Sequence, residues 1–178
     1  MEQKPWKKLA ERCVYKGWRD MLVRQFEMPD GKMAAFDVVR NGNYITLAAF
    51  TPQREAILVR QFRPGPEQFL WSFPEGYIDR AESPEQAARR ELLEETGYLA
   101  GEVQFLKKFY RAYSTEERTI LLATGCVWQE KPKGDEHEFL EITAMPFGEF
   151  RKFICDPQET AFTNTDAAYL ALEALRWL

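Results

Sequence analysis

Glu91, Glu94 and Glu95 lie near the end of the segment SPEQAARRELLEETG (83–97), which is built largely of good helix formers. On an α-helix, positions i, i+3 and i+4 share one face, so the three carboxylates project together. Three adjacent anions repel one another unless a cation sits among them. Carboxylate oxygens are the ligands that hard divalent ions such as Mg²⁺ prefer. An acidic helix face is most often a solvated surface. Here the placement argues for chemistry, because acids in the last turn oppose the helix macrodipole. A local rule broken in this way often marks a functional site.

The elements that must position these groups are legible around them. Ser83 is a natural N-cap, Pro84 suits the first helical position, Gln86 completes a capping box, and Gly97 supplies the stop. Arg89 and Arg90, one turn before the glutamates, are placed to pair with carboxylates. Upstream, residues 1–12 are polar and read as a frayed or loosely docked end. Residues 13–27 read as strand interrupted at Gly17, and Asp30-Gly31 as a tight turn into a returning strand at 33–40. Two more strands follow at 44–50 and 56–62. Downstream, 103–110, 118–127 and 139–145 read as strands. Helices are expected at 147–154, with Phe147, Phe150, Phe153 and Ile154 on one face, and at 165–177. Several strands before the first helix indicate an antiparallel or mixed sheet.

Composition narrows the class. The chain has 178 residues, 45% of them hydrophobic and 14% aromatic, which suits one domain with a substantial core. A net charge of −4 without a long basic run argues against a nucleic-acid surface. No apolar run approaches a membrane span, and residues 1–10 lack a signal-peptide core. Cys13, Cys126 and Cys155, an odd number without close spacing, suggest free thiols in a reducing cytoplasm.

The stretch 76–98, GYIDRAESPEQAARRELLEETGY, resembles the Nudix box, G-x5-E-x7-R-E-U-x-E-E-x-G-U with U a bulky apolar residue. Gly76, Glu82, Arg90, Glu91, Leu92, Glu94, Glu95 and Gly97 match it. Tyr98 is aromatic where an aliphatic residue is more usual. The resemblance implies an α/β fold, the Nudix α/β/α sandwich with a mixed β-sheet, here preceded by an N-terminal antiparallel strand region. It divides the chain into 1–45, strands that dimerise, and 46–178, the hydrolase domain. It also implies a Mg²⁺-dependent (or Mn²⁺-dependent) pyrophosphohydrolase in which Glu91, Glu94 and Glu95 ligate metal. In that family the backbone carbonyl before the first glycine is a further ligand, which here is that of Glu75.

The approach VRQFRPGPEQFLWSFPEG (59–76) is similar to that of the ADP-ribose and nucleoside diphosphate-sugar pyrophosphatase subgroup. There the arginine matching Arg63 faces the substrate phosphates, a role suited to its planar fork of donors. The subgroup's E-x-E-like loop matches Glu136 and Glu138, with Glu136 as general base and Glu138 contacting metal. Glu141 competes if the alignment slips, and in some members a box glutamate (Glu91 or Glu95 here) is the base. His137, the only histidine, forms no metal-site pattern. Where the subgroup commonly carries a proline, this chain has Tyr113, which would stack on a base or sugar or else cover a core edge. That departure keeps a dinucleoside polyphosphate hydrolase open as the alternative, beside a non-catalytic nucleotide-sensing domain. Related enzymes are homodimers that exchange N-terminal strands and line the nucleoside site with them. Trp18 and Arg40 are the matching candidates for nucleoside contacts.

Overall fold

The computed structural model describes residues 4–133 and 139–177. Its elements run β1 (Lys7–Tyr15), β2 (Asp20–Glu27), β3 (Met33–Arg40), β4 (Tyr44–Ala49), β5 (Glu55–Arg63), β6 (Gln68–Ser72) and β7 (Glu75–Tyr77). After these come α1 (Pro84–Thr96), β8 (Tyr98–Leu99), β9 (Glu102–Tyr110), β10 (Glu117–Thr124) and β11 (Val127–Trp128). The series ends with β12 (Glu141–Pro146), α2 (Phe147–Cys155) and α3 (Thr165–Ala174). Among the described residues no helix is long and apolar enough to cross a membrane.

The chain divides into two compact units, Met1–Asn43 with Phe109–Glu117, and Tyr44–Lys108 with Arg118–Leu178. In the first, β1, β2 and β3 form an antiparallel sheet in that order. The polar end expected to fray is instead paired from Lys7 onward, because its alternate backbone groups meet β2 from Lys7↔Glu27 to Tyr15↔Met21. Rings of Trp6, Phe26 and Phe36 cluster with centroids 5.4–6.2 Å apart. The segment 109–117, expected within the hydrolase domain, belongs to this unit. Val39 N–H donates to Tyr113 O at 2.9 Å, and Asn41 Nδ2–H to Glu116 Oε2 at 2.6 Å.

The second unit holds a mixed sheet, β7-β4-β10-β9, in which β4 runs parallel to β10 and antiparallel to β7. An antiparallel sheet, β12-β5-β6, lies beside it in the same unit. Strand β4 is buried on both faces, and its side chains alternate between them. Ile45, Leu47 and Ala49 join Ala87, Ala88 and Leu92 of α1, with Ile57, Leu121, Ala123 and Cys126, in one core cluster. Thr46 takes the alternate face and is fully buried. Phe50, Phe73, Phe150 and Phe162 make a second, aromatic packing group with centroids 5.6–6.1 Å apart. The mixed α/β architecture expected from the strand order is present.

Gly76 opens the acidic stretch from inside a strand, β7, because it and its neighbours pair with β4. One helix bound differs from expectation. The last helix ends at Ala174, three residues before Trp177, whose ring packs on Phe50 and Phe147.

Candidate active site

The box helix is built as its sequence dictates. Ser83 Oγ accepts from Gln86 N–H at 3.2 Å, and Gln86 Oε1 accepts from Ser83 N–H at 2.8 Å, closing the capping box. Gly97 ends the helix at φ 77°. A side chain is disfavoured there on a second count, since a Cβ would lie 1.9 Å from Glu130 O. The last turn itself carries no basic residue.

Arg90 organises that face. Its Nε–H and Nη2–H donate to the two oxygens of Glu82, each at 3.0 Å, a bidentate pair. Its Nη1–H donates to Glu91 Oε1 at 2.8 Å and Glu94 Oε2 at 3.0 Å, and Nη2–H also reaches Tyr77 O at 3.0 Å. Hydrogen bonding to Glu82 above all pushes the Arg90 pKa up, so its charge is permanent. The same bond holds the Glu82 carboxyl below its usual range. Arg89 differs from expectation. It pairs with Glu85 at 3.0 Å and with Ala100 O at 2.9 Å, because its position on the helix turns it away from the glutamate face.

Glu91 passes directly over Gly76, where an added Cβ would come within 1.9 Å of its Cδ and Oε1. Glu95 is 7% exposed and accepts from Glu75 N–H at 3.3 Å. The Glu75 side chain, for which the sequence suggests no role, is surrounded by residues from β4, β5, β10 and the entry to α3. Thr46 of β4, its cross-strand partner, donates to Oε1 at 2.6 Å. Asn164 Nδ2–H donates to the same oxygen at 2.8 Å. Arg118 of β10 comes within 3.9 Å and Arg63, at the end of β5, within 4.0 Å.

The NUDIX domain family matches residues 42–167, which spans both the acidic helix and Glu75 with its partners. The chain belongs to that family. This Nudix protein is 31% identical over 152 residues to the ADP-ribose pyrophosphatase of Bacillus subtilis (strain 168), covering 83% of this chain and 82% of the relative. It is 34% identical over 122 residues to the ADP compounds hydrolase NudE of Escherichia coli (strain K12), covering 67% of this chain and 65% of that one. A crystal structure of an ADP compounds hydrolase is similar across 99% of this chain and 97% of its own, with a TM-score of 0.85 at 26% identity. The Nudix fold and the Nudix hydrolase assignment expected from the box are both borne out.

The other sequence candidates fall in different places. Trp18, Arg40 and Tyr113 belong to the first unit. Trp18 is 91% exposed and Tyr113 62% exposed, while Arg40 Nε lies 3.7 Å from Asp20. Glu136 and Glu138 lie outside the described residues. Among the described residues no three acidic side chains form a ready-made metal cluster. Arg90 draws Glu91 and Glu94 to its own guanidinium, and Glu95 turns toward the Glu75 backbone. The donors offered by this Nudix site are nonetheless all oxygens, the set a hard divalent cation takes. The space above Gly76 admits the Glu91 carboxylate to it. The residues fit such an ion.

Sequence reasoning missed Thr46, Arg118 and Asn164. None of the three carried a signal in the sequence: Asn164 is an ordinary residue type for the N-cap of α3, but it makes no side-chain cap there. Its amide is used on Phe73 N–H, at 2.8 Å, and on Glu75 instead.

Proposed function

We propose that this protein hydrolyses the diphosphate bond of nucleoside diphosphate sugars, of the ADP-ribose, ADP-glucose or GDP-mannose kind, to a nucleoside monophosphate and a sugar phosphate. The observation that carries this reading is the Arg90 hub. One guanidinium gathers Glu82, Glu91 and Glu94 at hydrogen-bond distance, in a chain similar to relatives named for ADP-ribose and ADP compounds.

A diphosphate repels an attacking oxygen, so the site must offset charge and orient water. Glu91, Glu94 and Glu95, with the Glu75 carbonyl and Glu138, hold Mg²⁺ (or Mn²⁺) in this reading. When bound, such a cation neutralises the diphosphate and lowers the pKa of a coordinated water. Arg63 binds phosphate oxygens through its fork of N–H donors. Glu136 takes the water's proton, with Glu91 or Glu95 as the other candidates for that role. The water oxygen bonds to one phosphorus, the bridging P–O bond breaks, and the bridging oxygen leaves with its electron pair. Trp18, Arg40 and Tyr113 are assigned to the nucleoside, in a homodimer whose N-terminal strands cross to a second copy. Three free thiols, two of them exposed, support a reducing, cytoplasmic setting.

The test is a hydrolysis screen with Mg²⁺ over ADP-ribose, ADP-glucose, GDP-mannose, UDP-glucose and diadenosine polyphosphates. Release of nucleoside monophosphate and sugar phosphate supports the reading. Turnover of the dinucleotides alone, or tight binding of one compound without turnover, would overturn it.

A further inference from the structure

The two oxygens of the Glu75 carboxylate have different neighbours. Oε1 accepts from Thr46 at 2.6 Å and Asn164 at 2.8 Å, and Arg118 Nη2 lies 3.9 Å from it. Oε2 is the atom beside Arg63, whose Nη2 is 4.0 Å away.

The inner side of this arrangement is rigid. Arg118, its side chain 10% exposed, donates from Nε to Thr46 Oγ1 at 2.9 Å and from Nη1 to Asp166 Oδ2 at 2.6 Å. Among the described residues its Nη2 is buried without a hydrogen-bond partner, so Glu75 answers it by charge. Asn164 is fixed at its other end by Phe73 N–H. Three elements therefore set one carboxylate in place: β4, β10 and the entry to α3.

The outer side is different. The Arg63 side chain is 40% exposed. At 4.0 Å its pairing with Glu75 is coulombic and lies beyond hydrogen-bond range, so the attraction gives the guanidinium a direction without using its N–H donors. A neutral amide in place of Glu75 would satisfy Thr46 and Asn164 equally well. What a carboxylate adds is charge, and that charge meets Arg118 within and Arg63 outside.

We propose that the Glu75 side chain, locked by Thr46, Asn164 and Arg118, is a positioning residue that aims the Arg63 guanidinium at the substrate's diphosphate. This deepens the proposed function and rests on Arg63 as a phosphate-binding residue. It is separate from any use of the Glu75 backbone carbonyl, which substitution of the side chain retains.

The experiment is a cycle of Glu75→Gln, Arg63→Ala and the double variant, with KM and kcat measured on ADP-ribose and Mg²⁺. Arg63→Ala is expected to raise KM. Glu75→Gln should raise KM roughly fivefold, the size expected of one partly exposed ion pair, with kcat within about twofold of wild type. In the Arg63→Ala background Glu75→Gln should add nothing, because its effect passes through Arg63. A purely structural Glu75 would act equally in both backgrounds, and that additivity would overturn the inference. So would an unchanged or lowered KM in Glu75→Gln alone. An Arg63→Ala protein with wild-type KM would remove the Arg63 reading itself, and with it this inference. Should Glu75→Gln lose its cooperative melt, Glu75→Asp is read the same way, since it keeps the charge but withdraws it from Arg63 by one methylene.

Discussion

Gly76 and Glu91 compete for one volume: a methyl group on residue 76 would lie 1.9 Å from the Glu91 carboxyl carbon. That separation is less than a van der Waals contact, and the strand pairing of Gly76 with Ile45 leaves the backbone little room to retreat. Glycine is needed here for close approach. Its conformational freedom is not the reason.

Gly76→Ala should therefore displace the Glu91 carboxylate while leaving the sheet formed. A shift of about 1 Å at a reacting centre costs on the order of 100-fold in rate. We expect kcat to fall by that order with a circular dichroism spectrum like wild type. A Gly76→Ala enzyme with near-normal kcat would show that Glu91 is not position-critical.

Glu95→Gln keeps the shape of a nearly buried side chain and its contact with the Glu75 N–H, but removes the negative charge. If Glu95 ligates metal or takes a proton, turnover should drop by roughly 100-fold or more while the melting temperature changes little. Near-normal rates would remove Glu95 from the ligand set.

The Glu82–Arg90 pair predicts how stability depends on pH. Bonding to Arg90 lowers the folded-state pKa of Glu82, so the pair's contribution is fully present above the ordinary glutamate pKa. It is lost as pH falls through the lowered, folded-state value. Arg90 stays charged throughout. Comparing urea midpoints of wild type and Glu82→Gln should give a deficit of roughly 1 kcal/mol at neutral pH that shrinks on acidification. A deficit that stays constant into strong acid would contradict this assignment.

Cys126 is 1% exposed in the core cluster, and burial pushes its thiol up to about 11. Cys13 and Cys155 are exposed. A disulfide-exchange reagent at mildly alkaline pH should titrate two thiols in the native protein and the third only after denaturation. Rapid native labelling of Cys126, located by peptide mapping, would show that this core opens readily.

The box helix is legible in the amino-acid sequence. Its cap, stop and glutamate face depend on residues within one or two turns of each other, and such local rules are written in sequence spacing. Most strands are legible for the same reason, because alternation and turn residues mark them. What escapes is β6, which folds straight back on β5 from Arg63↔Gln68 across a Pro-Gly-Pro turn that hides the strand, together with the short strands β7, β8 and β11 and the early pairing of Lys7.

The environment of Glu75 belongs to the tertiary structure alone. Thr46, Arg118 and Asn164 reach it across sequence separations of 29 to 89 residues. Parallel pairing of β4 with β10 and the docking of 161–163 on Trp71 bring them together. No periodicity connects such residues, since each obeys the pattern of its own element. The sequence by itself determined the acidic helix, its caps and the family. Folding decided which polar groups close around Glu75, because that depends on which distant backbones become neighbours.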